Sequence, residues 1–543
     1  MFAQRSPIII IQNVISAIFG YVGLFFIVRY IGLADWGFVG FGIGFVGVLS
    51  LFSDLGYSTA HTIKISEGED IGVCNGTYLT VKLGLGFLFV ALVFVSLFFW
   101  TDILHKGFES PIEYWIVIAL IPYFFFNNFL GFTNTYFRAT LKSMRASIPP
   151  LVEAVLRNSI FVFLAFIVRF SGPNGAGYMP ALYLSITYSI TYSVYFFSSL
   201  ALGRPWNISR PTRKMFKAYS ILALPLVLVT SVGTINGNID KVILQLFWHV
   251  DATSAFFSSQ QISAVITTLA GSLSMFFLPL LIRRGKHLGK DEHNRSIYEF
   301  ENMISLYVLP IVVVLVVLAP FVLNIFSQGY IIYSAMLSLL AFRAYLGAIN
   351  TPYTSAIASR FRTGTLAKID TAMVTLNIAL ILILVPSNIF GFSSLSLGWV
   401  GAPVAMVIAT FVSALIYRRV VARLESVKYN LYLMRHAIPA LVQTAVLLAI
   451  MHYITPKDIL ILGPLALFSL FVYFAVAILM KETSVGLLLC IVVMMFPCIT
   501  DPSNNLIMPF LGICKQEFVF LMNSLCIKFH CEVLLGENLN HRN

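Results

Sequence analysis

Long apolar runs alternate with short polar or glycine-proline breaks along almost the whole chain. A helix that crosses the hydrocarbon core of a bilayer needs about 20 mostly apolar residues. Fourteen stretches meet or approach that length: 7–31, 37–60, 78–99, 112–133, 149–168, 177–200, 219–247, 252–282, 303–326, 331–352, 366–387, 397–417, 437–454 and 459–480. The pattern predicts an all-α polytopic membrane protein of about fourteen transmembrane helices. The first run passes from Arg5 to Ile31 without a small-residue cleavage site, so it is read as a retained span rather than a signal peptide. A further apolar segment, 484–500, is at the short limit for spanning, and the topology of 482–543 stays open.

Composition removes the alternatives. Of 543 residues, 59% are hydrophobic and 11% charged, with a mean hydropathy of +0.88. A soluble domain carries about 25% charged residues, and a disordered chain or a nucleic-acid module needs still more polarity. The net charge of +12 matters less than its placement. With the N-terminus cytoplasmic, 25 of the 35 basic residues fall inside, among them Lys82, Arg418 and the clusters at 204–217, 283–295 and 418–435. Arg29, Lys106, Arg169 and Lys457 fall outside, and Arg157, Lys241 and Arg343 lie within spans. This positive-inside bias holds both ends of the bundle in the cytoplasm and predicts a multi-pass protein of the cytoplasmic membrane. The six tryptophans fall near span ends, where an amphipathic ring suits the headgroup region. Cys74 is alone in the first 489 residues, so no disulfide framework is implied, and the spacing of Cys526, His530 and Cys531 in the tail fits no common metal site. The outer loops are too short to hold a catalytic domain, and no phosphate-binding loop is present. No cofactor, metal or nucleic-acid partner is expected.

Shifted by 218 residues, Pro7 falls on Pro225, Ala34 on Ala252 and Phe38 on Phe256; at 216, Asn134-Thr135 falls on Asn350-Thr351. The offset pairs spans 1–6 with spans 7–12, and an even number of spans per unit gives parallel halves about an axis normal to the membrane. The expected organisation is an N-lobe (1–200), a basic linker (201–217), a C-lobe (218–420), spans 13 and 14 (421–481) and the tail. Two six-helix lobes around a central cavity suit alternating access.

Arg29-Tyr-Ile-Gly-Leu-Ala-Asp-Trp-Gly37, running on to Phe52-Ser-Asp-Leu-Gly56, resembles the opening of polysaccharide (O-antigen-type) flippases of the multidrug/oligosaccharidyl-lipid/polysaccharide exporter superfamily. Ala223-Leu-Pro225, Asn238-Ile-Asp-Lys241, Gly398-Trp-Val-Gly-Ala402 and Ala409-Thr410 extend the resemblance over about residues 1–480. It implies a non-enzymatic transporter that moves a polyprenyl- or dolichyl-linked saccharide from the cytoplasmic to the outer leaflet. The implied partners are that substrate, the bilayer, and glycosyltransferases or a polymerase of polysaccharide assembly. Lipid II flippases of the superfamily carry arginines in the first two spans, whereas nothing basic lies between Arg5 and Arg29 here. The alternatives are a cation-coupled multidrug antiporter of the same superfamily and a membrane glycosyltransferase or saccharide polymerase.

Charges at membrane depth are costly and mark the candidate site. Glu153 and Arg157 stand four residues apart on span 5, within ion-pair reach; they either neutralise each other or offer a cation to the lipid phosphate. Arg343 has no carboxylate within four residues on span 10 and is the second substrate-binding candidate. Asp240, Asp370 and Glu153 are the candidates for ion coupling. Asp54 is either a helix-end cap or a cation site. Gly233 and Gly237 on span 7 let a neighbour approach or the helix bend, which places Ser231–Lys241 in the interior.

Overall fold

A computed structural model describes residues 6–103, 108–139, 143–171, 179–204, 207–274, 277, 290–360, 363–389, 392–393, 395–425, 430–453 and 459–482. The tail, including 484–500 and its cysteines, lies outside the described residues, as do Arg283, Arg284 and Lys286.

The chain is helical almost throughout. Helix α1 (Ser6–Phe26) widens into a π-turn (Ile27–Ile31) and breaks at Gly32, whose φ of 118° only glycine adopts without strain. Helix α2 (Leu33–Leu49) tightens into a 3-10 turn (Ser50–Ser53) and stops. The expected second span to residue 60 is therefore too long: Gly56 (φ 80°) turns the chain into a separate polar helix, α3 (Tyr57–Ser66). Asp70 accepts from Val73 N at 2.8 Å and starts α4 (Ile71–Phe98), seven residues before the apolar run. Helices α5 (Ile112–Ala139), α6 (Ser143–Ser171) and α7 (Met179–Gly203) follow, then α8 (Arg213–Phe247) and α9 (Val250–Ser274). The run 303–326 is split at Leu318 into α10 (Lys290–Val317) and the short α11 (Ala319–Phe326). Beyond them lie α12 (Ser334–Ser359), α13 (Thr363–Leu384), a small antiparallel hairpin (Asn388–Ile389 with Phe392–Ser393), α14 (Gly401–Glu425), α15 (Ala437–Tyr453) and α16 (Ile459–Leu479).

Among the described residues, eleven helical segments are long and apolar enough to cross a membrane. The other three expected spans are present as helices α7, α8 and α9, of 25, 35 and 25 residues, of which α7 and α9 are rich in serine and threonine. Polar helices of this length need neighbours rather than lipid around them.

Packing explains where they go. Helix α1 lies on α6, α5 on α7 and α6 on α7; correspondingly α8 lies on α13, α12 on α14 and α13 on α14. Helices α15 and α16 pair with each other and lean on α10. Between the two groups the principal contact is α2 against α8 and α9. A glycine row makes it possible: a Cβ at Gly37 would stand 2.3 Å from the Val250 carbonyl oxygen, at Gly40 3.1 Å from Phe257, at Gly44 2.9 Å from Lys241 and at Gly47 2.6 Å from Asn238. Trp36, in the first turn of α2, is fully buried in this seam and stacks on Phe257 with ring centroids 4.9 Å apart.

Candidate substrate and ion sites

The predicted pair on span 5 forms. Arg157 Nε donates to Glu153 Oε1 at 2.6 Å, and Thr191 on α7 approaches the same oxygen at 3.5 Å. The Arg157 guanidinium sits over the rings of Tyr188 (5.1 Å) and Phe161 (5.9 Å), while its side chain keeps 21% exposure. A cation held by a carboxylate on one edge and aromatic faces on its flank still has terminal N–H groups with which to take an anion.

Asp240 is buried on α8 and accepts from Asn377 Nδ2 on α13 at 3.2 Å. Among the described residues its second carboxylate oxygen has no hydrogen-bond partner, and neither has Asn377 Oδ1. Two buried oxygens without donors are an arrangement that favours a proton or a cation. Lys241 does not serve Asp240: its ammonium donates to Gly237 O at 2.7 Å and faces the Phe257 ring at 5.7 Å, as expected for adjacent helix positions. Asn377 is absent from the candidates because no one-dimensional pattern sets it beside a carboxylate 137 positions away.

Arg343 on α12 is half-buried, and among the described residues no carboxylate lies within 4.0 Å of it. Asp240 is the charge whose field it feels. Around it Gly347 is exposed and Thr351 half-buried, giving α12 an open polar face. Helix α8 has a similar face, since Gly233 and Gly237 are exposed and a Cβ on either would meet nothing within 4 Å. The expectation that these glycines admit a close neighbour is thus corrected: they look onto open space. Asp370 near the start of α13 is engaged by the Tyr417 hydroxyl.

Two buried charge clusters escaped the sequence reading. Lys82, counted among the cations of the cytoplasmic face, is fully buried in α4, where it pairs with Asp54 and donates to Asn128 Oδ1 at 2.5 Å. Asp54 also accepts from Ser58 N at 3.3 Å, so it caps α3 and neutralises Lys82 together. Arg418, likewise counted there, binds Glu301 on α10 at 2.5 Å and Asn350 at 3.1 Å, with Tyr353 donating to Glu301 at 2.7 Å. The available signal for Lys82 was the N-cap Asp70, which starts the helix eleven residues ahead of it.

Apolar helices packed as two similar groups, each holding buried ionisable side chains among its helices, make a polytopic membrane protein. The chain belongs to the polysaccharide biosynthesis protein family, which residues 2–284 match. Its fold is that of the superfamily resembled by the motifs above. A structure described as lipid II flippase MurJ in an inward closed conformation aligns with a TM-score of 0.67 at 17% identity, covering 87% of this chain and 98% of the other. An inward-facing multidrug resistance MATE family transporter of the MOP superfamily aligns with a TM-score of 0.57 at 15% identity, covering 76% and 96%. No curated protein matches the sequence.

Proposed function

We propose that this protein carries a polyprenyl- or dolichyl-linked saccharide from the cytoplasmic to the outer leaflet by alternating access, with fourteen spans arranged as two six-helix lobes and an added pair. The family supports the substrate class. The repeated packing of α1 on α6 and α8 on α13 supports the two lobes. The observation that carries the reading is Arg343, a half-buried guanidinium on a long helix, with no carboxylate within 4.0 Å among the described residues and an open polar face around it. Such a charge is tolerable where it meets water and an anion. Phosphate is the anion every lipid-linked saccharide shares, and guanidinium grips it through paired hydrogen bonds that an ammonium cannot copy.

In this reading Arg157 and Arg343 hold the phosphate from the two lobes, and Asp240 couples transport to an ion gradient. Asp240 is preferred to the other two carboxylates because Glu153 is neutralised by Arg157 and Asp370 is engaged by Tyr417, whereas Asp240 keeps an unpartnered oxygen beside that of Asn377. The test is reconstitution in proteoliposomes with a short-chain polyprenyl pyrophosphate saccharide, and accessibility of its sugar as the readout. Arg343→Ala is expected to cost about 2–5 kcal/mol of substrate binding, and Arg343→Lys to fail nearly as badly while the protein still inserts. Full transport by Arg343→Lys sinks the phosphate assignment. Transport of lipophilic cations in place of the saccharide returns the multidrug antiporter.

A further inference from the structure

Between α7 and α8 the chain crosses from one half to the other through residues 207–212, and this connection is fastened down. Ser209 N donates to Gly72 O at 2.9 Å, and Asn75 Nδ2 donates to Asn207 O at 2.9 Å. The Ser209 carbonyl lies so close to α4 that a Cβ on Gly76 would be 1.9 Å from it. The Thr212 hydroxyl then accepts from Met215 N at 3.2 Å to start α8, and Met215 and Tyr219 sink into a small core with Cys74 and Tyr78. The strap is thus tied to α4 by Asn207 and Ser209. Its outer side presents Arg204, Arg210, Arg213, Lys214 and Lys217, all exposed, and no acid occurs between 204 and 217.

None of these five cations pairs with a carboxylate within 4.0 Å among the described residues. The acids of the neighbouring turn are otherwise engaged or few: Glu67 binds Lys64 at 2.6 Å, Asp70 caps α4, and Glu69 stays exposed. Arg213 and Lys214 occupy the first turn of α8, where the helix dipole disfavours cations, so the helix itself gives them no stabilisation. Flanking them, Ile208 and Phe216 are 48% and 49% exposed. At 35 residues, α8 is about 52 Å long against a hydrocarbon core of about 30 Å, so its first turns extend to headgroup level.

We infer that this strap is a docking surface for anionic phospholipid headgroups of the inner leaflet, with Ile208 and Phe216 entering the acyl boundary. The inference rests on the inward placement of residues 204–217 in the reading above. The experiment is native mass spectrometry of the full chain in detergent, titrated with phosphatidylglycerol or phosphatidylcholine. Each cation near an anionic surface contributes about fivefold to binding. Changing Arg210, Arg213, Lys214 and Lys217 together to Gln should therefore lower phosphatidylglycerol binding by at least about a hundredfold, leave phosphatidylcholine unchanged, and weaken the salt dependence. The exposed Arg419 and Arg423 changed to Gln form the control, with phosphatidylglycerol binding expected to fall far less than in the strap variant. Equal binding of the two lipids, equal loss in the control, or displacement by inorganic phosphate at millimolar concentration overturns the proposal. None of these readouts involves saccharide, so the transport reading stands or falls apart from it.

Discussion

Gly37→Ala places one methyl group where α2 touches the first residue of α9. The new Cβ would lie 2.3 Å from the Val250 carbonyl oxygen and 2.6 Å from Val250 Cγ2. The oxygen belongs to the backbone at a helix start and cannot rotate away, so α2 must withdraw. Overpacking of this kind costs about 1–3 kcal/mol, and the cost falls only on the conformation in which α2 and α9 are in contact. That conformation should lose about 5–150-fold in relative population. The assay is the rate at which a short bifunctional thiol reagent links Leu33→Cys to Gly329→Cys. These positions are suitable because a Cβ on Gly329 would lie 3.3 Å from the Leu33 side chain, across the two halves. Gly37→Ala should slow the linkage markedly. Gly233→Ala and Gly237→Ala, each meeting open space, should leave it unchanged. An unaltered rate in Gly37→Ala would show that the glycine row does not govern the contact between the halves.

Three further outcomes are expected. Lys82→Met leaves Asp54 charged and half-buried without its partner; a loss of about 3–5 kcal/mol should appear as a lower melting temperature, and adding Asp54→Leu should restore most of it. Asp240→Asn should insert and bind substrate normally but lose dependence on a proton or sodium gradient; retained gradient dependence would move the coupling role away from Asp240. Cysteines placed in 204–217 and 418–435 should resist an impermeant thiol reagent in intact cells while those in 102–110 and 389–395 react, and the reverse pattern would invert the direction of transport.

Hydropathy placed the eleven helical segments that are apolar enough to span, among the described residues, because burial of an apolar run about 20 residues long is a local property that needs no knowledge of neighbours. The Glu153–Arg157 pair was equally legible, since four residues along a helix set two side chains on one face. Element ends were less so: the run read as one span to residue 60 breaks after Ser53, where Asp54 and Gly56 at positive φ turn the chain into the polar helix α3. Charge placement failed where counting assumed that a cation near a span end is in water. Lys82 and Arg418 are held inside by Asp54 and Glu301, 28 and 117 residues away, and Asp240 meets Asn377 across 137. The sequence decided which residues must leave water; which of them meet was settled only when the helices packed, because a buried charge is stabilised by whatever partner the fold brings within a few ångströms, at any separation along the chain.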